Sequence, residues 1–411
     1  MWEQFSFYGM RALLVYYMTK QLRIEQSQAS MIYGLYAAAV FLTPLAGGVL
    51  ADRWLGRKAA VILGASIMAC GHFMMAFEPL FFPALVVIAT GSGLFMPSLP
   101  AQIDGLYARE DPRRRSAYNI YYVGINLGAL LAPLVAGTVG EVYGWHWGFT
   151  VAGIGMVVGL LTYLAGSRYL PATSPGESSV SEDPLGSTDE QVLSSHRAIR
   201  KRLLLLVSIA ACVVVFRSAY EQLGNTVALW LDADVDRTVT THWSVPMTWF
   251  IALNPLVVFS LTPALVSRWT RQSVLGREPS SVVKMWTGAL LVCVSYLMLA
   301  GAAWWATAHC FHTSWLWLLA FFVLMTLGEL HILPVGLGLF GRLAPKGLAS
   351  TAIAIWYLAG FFGNLVAGWL GGFWSVIGHA AFFALVGAIA FVAGVLLLFL
   401  VPWSVRVESV A

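Results

Sequence analysis

The sequence predicts an all-α integral membrane protein with twelve transmembrane helices in two six-helix halves. Three observations carry that reading. Of the 411 residues, 59% are hydrophobic and 11% charged, a balance that excludes an ordinary soluble globule. Twelve apolar stretches approach or exceed the ~20 residues needed to cross a bilayer core. Between the sixth and seventh, Pro171 to Ser195 is rich in Ser, Pro, Gly, Glu and Asp and cannot bury enough apolar surface to order itself. The chain is therefore read as a bundle over 1–170, a linker over 171–202 and a second bundle over 203–411.

Span 1, over 3–20, is apolar from Phe5 to Met18 except for Ser6, Tyr8 and Arg11. Gln4, Tyr8 and Arg11 recur at i, i+4 and i+7 and so share one helix face. A charge at mid-bilayer costs at least ~2.5 kcal/mol on insertion scales, which turns Arg11 toward a water-filled or substrate-filled interior. The competing reading is an arginine that snorkels to the interface. The charged interior is wrong for a cleavable signal peptide, so this span is expected to stay in the mature chain. Spans 2 to 6 follow over 29–51, 58–77, 81–107, 115–138 and 147–170, and spans 7 to 12 over 203–231, 244–268, 283–307, 314–342, 348–373 and 379–401.

Ionisable residues inside these spans are few: Glu3, Arg11, Arg217, Glu221 and Glu329, with Asp104 near the end of span 4. Arg217 lies four residues before Glu221, where an i, i+4 ion pair forms. Such a pair either makes up for cations missing elsewhere or locks Glu221 as a structural element. His331 is two residues, about 200° of helix rotation, from Glu329, and is read as a satisfied histidine rather than a relay. His309 and His312 have metal-like spacing but stand as a lone pair in a connector. No metal site and no cofactor is expected.

Orientation follows from the basic residues. All of the 24 lysines and arginines except Lys20, Arg23, Arg237, Arg11 and Arg217 fall in the connectors after even-numbered spans, in the linker or in the tail. That asymmetry places both termini in the cytoplasm of a multi-pass cell-membrane protein. The net charge of +4 then reports topology and calls for no nucleic-acid partner. Cys70, Cys212 and Cys293 lie inside apolar runs and Cys310 in a connector, which is no disulfide framework. The partners expected are the lipid bilayer and a small solute, and the chain is expected to act as a monomer.

The connector after span 2 reads Gly48-Val49-Leu50-Ala51-Asp52-Arg53-Trp54-Leu55-Gly56-Arg57-Lys58. Its acidic residue, turn glycine and basic cluster resemble the loop motif of the major facilitator superfamily. The resemblance implies that Asp52, Arg53, Gly56, Arg57 and Lys58 brace neighbouring helix ends and help set a conformational equilibrium. Two halves of six spans also match that fold, in which the substrate site lies between the halves near the membrane midplane. Span 5, from Tyr118-Asn119-Ile120-Tyr121-Tyr122-Val123-Gly124-Ile125-Asn126 to Leu127-Gly128-Ala129-Leu130, resembles the signature of the proton-dependent oligopeptide transporters. Gly124 and Gly128 at i, i+4 allow close helix approach, and the Asn126 amide needs partners in an apolar setting.

That resemblance extends over both halves. Trp2 to Leu14 is similar to the family's first helix, which implies that Tyr8 and Arg11 line a peptide site and that Arg11 meets the substrate carboxylate. Leu253-Asn254-Pro255 is similar to the motif whose asparagine faces the peptide amino end. Tyr220-Glu221-Gln222 resembles the motif with the protonatable glutamate, and Gly328-Glu329-Leu330 with Pro334-Val335-Gly336-Leu337 the motif whose glutamate lies at the intracellular gate. Trp356 and Asn364 fit the eleventh helix.

The departures concern charge. Where the family has E-x-x-E-R, the first glutamate would precede Met1, the second is Glu3 and the arginine is Gln4. The lysine before the proline of span 4 is Met96, and a site tyrosine of span 2 is Phe41. Glu3 and Glu329 thereby lose cationic partners, and desolvation favours the protonated form of any buried carboxylate so stripped. The sequence thus predicts uptake of di- and tripeptides by proton symport with alternating access. The substrate site is expected from Tyr8, Arg11, Phe41, Met96, Asn126, Asn254, Glu329 and Trp356, with proton coupling through Glu3, Glu221 and Glu329. Two alternatives stand beside it: a transporter of the same fold for another small solute with altered proton coupling, and a transport-inactive sensor. No nucleophile and base pair or phosphate loop points to an enzyme.

Overall fold

The computed structural model describes residues 1–107, 111, 113–170, 189–241, 243–345 and 348–408. Its helices are α1 (Trp2–Tyr16), α2 (Gln26–Leu50), α3 (Arg57–Met74), α4 (Phe81–Gly105), α5 (Arg113–Ala132), α6 (Thr138–Tyr143), α7 (Trp145–Gly166) and α8 (Asp189–Tyr220), followed by α9 (Thr226–Asp234), α10 (Met247–Ile251), α11 (Leu253–Val274), α12 (Ser281–His309), α13 (Leu316–Leu343), α14 (Ala349–Gly371), α15 (Trp374–Ile377) and α16 (His379–Glu408). Among the described residues, ten helical stretches are long and apolar enough to cross a membrane. The expected spans outside that group are α1 and α3. Both are helical, but Glu3 and Arg11 in α1 and Arg57 and Lys58 at the start of α3 lower their apolar content.

Several boundaries differ from the expectation. Part of the linker, 171–188, lies outside the described residues, but from Asp189 the chain is already helical and runs without interruption into α8. Gln191, Leu193, Ala198, Arg200, Lys201 and Arg202 are good helix formers, so a segment too polar to cross the bilayer still extends a helix beyond it. Span 5 continues from α5 through a π-turn at Pro133–Gly137 into α6. Spans 7 and 8 are broken. A 3₁₀ turn, Glu221–Gly224, and a non-helical Asn225 separate α8 from α9, and Ala252 separates α10 from α11. The connector after α9 adds short strands: β1 (Val235–Asp236) pairs in parallel with β4 (Thr313–Ser314), and β2 (Thr238–Thr240) pairs antiparallel with β3 (Trp243–Ser244).

One large apolar cluster, from Met10 on α1 to Leu397 on α16, fills the centre, and a smaller one joins α3, α4 and α7 through Val61, Met68, Phe95 and Met156. Small residues set the closest approaches. A Cβ added at Gly34 on α2 would stand 2.4 Å from Gly368 Cα on α14, so these helices meet backbone to backbone.

Polar contacts tie the same end of the bundle. Gln26 Nε2 donates to the Gly371 carbonyl at 2.9 Å, Ser30 Oγ to Asn225 Oδ1 at 2.9 Å, and Lys20 pairs with Asp232 at 2.5 Å. Glu141 on α6 accepts from the backbone amides of Met247 (2.8 Å) and Thr248 (2.7 Å). It thereby satisfies two amides at the start of α10 that have no partner within the helix. Nothing in the sequence around Glu141 marks this role, because a cap supplied from 106 residues away has no local signature.

Gly34→Ala tests the backbone contact. The new methyl must push α2 from α14, at a cost of ~1–3 kcal/mol for overpacking. The apparent melting temperature of the purified protein should fall clearly, whereas Gly301→Ala, where an added Cβ meets nothing within 4 Å, should leave it nearly unchanged.

Candidate functional site

The site is built where the two helix breaks face α1. Glu221 opens the 3₁₀ turn after α8 with its side chain 3% exposed. Its Oε2 accepts from Arg11 Nη2 at 2.5 Å and its Oε1 from Arg217 Nη1 at 2.8 Å, so each oxygen serves a different guanidinium. Arg11 reaches it from α1 and also donates through Nε to the Tyr33 hydroxyl on α2 at 2.7 Å. The Arg217 guanidinium lies 4.5 Å over the Phe41 ring, a contact that favours a desolvated cation. Four elements thus converge on one carboxylate.

A cavity opens beside this cluster, lined by Tyr8, Arg11, Tyr33, Tyr220, Glu221 and Asn254 among others. The space it encloses is about 50 Å³, room for a few waters and not for a peptide. Asn254, the second residue of α11 after the break at Ala252, donates its amide to Glu329 Oε2 at 2.6 Å and Thr326 Oγ1 at 3.0 Å on α13. Glu3 accepts from the neighbouring Gln4 amide at 2.8 Å. Among the described residues, then, the carboxylate at the centre is held by cations and the other two by side-chain amides.

The structure brings together Tyr8, Arg11, Glu221 and Asn254 from the residues expected at the site, with Glu329 directly behind Asn254. The other expected residues do not line this cavity. Asn126 donates its amide to the Tyr122 carbonyl of its own helix at 2.9 Å, which meets the need of an amide in an apolar setting locally. Trp356 is buried against Phe340, 5.1 Å between ring centroids. Met96 packs against the large apolar cluster, and Phe41 lies under Arg217. Asn364 donates to the Gly360 carbonyl at 2.9 Å.

In the connector after α2, Arg57 lies 3.6 Å from Asp52 and donates to the Ala101 carbonyl of α4 at 3.1 Å. Gly56 adopts φ 73° there, a conformation that favours glycine, while Arg53 and Lys58 are exposed. His331 rests against the Leu327 carbonyl at 2.7 Å. His309 and His312 are exposed, and no group of three metal-ligating side chains occurs among the described residues. Sequence reasoning missed Tyr33 and Tyr220. Both belong to aromatic-rich helices where nothing local distinguishes a site tyrosine from a packing one.

The chain matches the family described as POT over residues 58–184 and 190–382. It is 31% identical to the peptide transporter YePEPT of Yersinia enterocolitica, over 90% of this chain and 85% of that protein. It is 30% identical to a di-/tripeptide transporter of Lactococcus lactis, over 97% and 92%. Among solved structures, the crystal structure of a peptide transporter POT in complex with sulfate superposes with a TM-score of 0.87 at 27% identity, covering 99% of this chain and 93% of the other. A mutant of a peptide transporter POT in complex with alafosfalin gives the same values.

Gly224 supplies a test of the cluster. A Cβ there would lie 2.1 Å from the Tyr33 hydroxyl and 3.1 Å from its ring carbon. Gly224→Ala should therefore destabilise the purified protein by displacing Tyr33 from Arg11, and Tyr33→Phe should cost ~1–3 kcal/mol for the donor left unpaired. Because removing the hydroxyl also removes the clash, the double variant should be more stable than the sum of the two losses predicts. Melting curves of the four proteins check it, and strict additivity would contradict the contact.

Proposed function

Because the chain belongs to the POT family, we propose that it takes up di- and tripeptides by proton symport, with alternating access. Its twelve spans form two six-helix halves, 1–170 and 203–411, in the cell membrane with both termini cytoplasmic. The protein acts as a monomer, and the end tied by Lys20–Asp232 and Glu141 is the outer one. The substrates of the Yersinia and Lactococcus relatives support the reading, and so does the fold shared with peptide-transporter structures. One observation carries it for this chain. Arg11 borders the cavity while already paired to an internal carboxylate, so a substrate carboxylate can replace Glu221 as its partner.

In this mechanism the peptide carboxylate displaces Glu221 Oε2 from Arg11, and Tyr33 keeps the guanidinium aimed at the cavity. The peptide amino end meets the Asn254 and Glu329 pair. As the cavity widens, Tyr8, Phe41, Met96, Asn126 and Trp356 supply walls for the peptide side chains. Of the three carboxylates, Glu3, Glu221 and Glu329, we assign the transported proton to Glu329. It is bonded to the Asn254 amide and the Tyr220 hydroxyl and, among the described residues, is in no ion pair, so its protonation breaks no ion pair and releases Asn254 to the substrate. Asp52, Arg53, Gly56, Arg57 and Lys58 brace the inner ends of α2 and α4 through the cycle.

Uptake of radiolabelled dialanine into proteoliposomes with an inward proton gradient tests the assignment. Arg11→Ala should lower uptake at least tenfold, and the wild type should discriminate against C-amidated dialanine. Glu329→Gln should abolish accumulation driven by the proton gradient while dialanine counterflow persists. Equal transport of the free and amidated peptides would remove the carboxylate role of Arg11. Gradient-driven accumulation in Glu329→Gln would place the proton elsewhere.

A further inference from the structure

The second guanidinium at Glu221 makes no bond to Arg11, which is held by Glu221 and Tyr33, and it occupies a different position from Arg11. Arg217 lies one turn before Glu221 on α8, with its side chain 8% exposed. It is fixed from both sides. Its Cβ lies where an added Gly363 Cβ would be 2.5 Å away, and its guanidinium covers Phe41 at 4.5 Å. It is not among the residues that line the cavity, whereas Arg11 is. A carboxylate arriving through the cavity therefore meets Arg11 and not Arg217. When Arg11 turns to it, Glu221 Oε2 loses its donor, but Oε1 keeps the Arg217 bond of 2.8 Å.

Charge counting gives the consequence. Arg11, Arg217 and ionised Glu221 sum to one positive charge, which a substrate carboxylate cancels. Without Arg217, the pair Arg11 and Glu221 would be neutral, and the incoming carboxylate would leave an unbalanced buried negative charge unless Glu221 took up a proton. Several other groups bear on Glu221. Tyr8 on α1, Tyr33 on α2, Tyr220 on α8 and Tyr296 on α12 interact with its charge, and tyrosines are neutral at physiological pH. Glu329 on α13 is the other carboxylate it feels.

We propose that Arg217 is a positioning residue that keeps Glu221 ionised through the transport cycle, so that peptide capture by Arg11 takes up no proton at Glu221. This rests on the peptide-transport reading above, and it assigns Glu221 a fixed charge where the proton travels by another carboxylate. The substrate class it fits carries one more negative charge at the Arg11 end than a site with a single arginine would accept without a proton.

The test is the number of protons taken up per dialanine bound. It is measured by titration calorimetry of the purified full chain at one pH in buffers of different ionisation enthalpy. The background is Glu3→Gln with Glu329→Gln, which silences the other two carboxylates; if that background does not bind dialanine, the count is taken with Glu329 intact and the change that Arg217→Met makes to it, one added proton expected and none contradicting the proposal, is the readout. With Arg217 present, binding at about pH 6, where the peptide amino group is already fully protonated, should take up no protons, and its affinity should stay constant between about pH 5.5 and pH 7. Adding Arg217→Met should raise the uptake toward one proton, with affinity then falling up to tenfold per pH unit, while Arg217→Lys should return the count to zero.

A role confined to structure would change affinity or yield in Arg217→Met without changing the proton count. One proton taken up with Arg217 in place, or none in Arg217→Met, overturns the proposal. If Arg217→Met does not fold, the count with Arg217 present still decides, because a full proton there contradicts the fixed charge. Absence of dialanine binding by wild type would instead overturn the peptide-transport reading, and this proposal with it.

Discussion

A carboxylate withdrawn from solvent and divided between two guanidiniums is the constraint to which the surrounding structure conforms. Removing three charges from water is costly, and their mutual attraction offsets that cost only when the geometry is good and the remaining donors are used. Here each Glu221 oxygen has its own arginine, Arg11 spends its Nε on Tyr33, and Arg217 lies over an aromatic face. Those demands bring α1, α2 and α8 to one point. They also explain why α8 stops there: the 3₁₀ turn after Tyr220 leads Glu221 out of the regular helix and into the cluster.

The breaks in spans 7 and 8 serve the same point. Irregular backbone at membrane depth is tolerated where it is buried in protein or lines a cavity, and both breaks lie beside the cavity, at Glu221–Asn225 and at Ala252. Beyond the breaks, α9 and α10 are short helices whose contacts lie elsewhere. Tyr16 donates to the Ala228 carbonyl at 3.0 Å, and Glu141 holds the first amides of α10. The tied end and the small cavity therefore belong to one arrangement, in which short helices adjoin the irregular segments beside the cavity.

The departures from the family pattern acquire a physical meaning in this setting. Gln4 and Met96 stand where the family has cations, and the side chains near them adjust without charge: Glu3 accepts from the Gln4 amide, and Met96 joins the apolar cluster. The cation found instead, Arg217, is on another helix and serves another carboxylate. The i, i+4 spacing of Arg217 and Glu221 already offered one of the two partners of Glu221, whereas Arg11 becomes the other only when the helices assemble.

The sequence by itself determined the all-helical, multi-pass membrane class of the fold and the family, because both are written in patterns that survive without neighbours: apolar runs of bilayer length and contiguous motifs such as Tyr118 to Leu130. It also singled out Arg11, Glu221, Asn254 and Glu329, since an ionisable or amide side chain in an apolar run stands out in one dimension. Tertiary structure alone decided which of them meet. The pairing of Arg11 with Glu221 joins residues 210 positions apart, and Tyr33, Glu141 and the helix breaks draw their roles from partners on distant helices. Asn126 and Trp356 show the converse, for a motif match fixes residue type but not the direction of a side chain. That direction is set by packing and by the nearest unsatisfied hydrogen-bonding group, and these exist only once the helices have assembled.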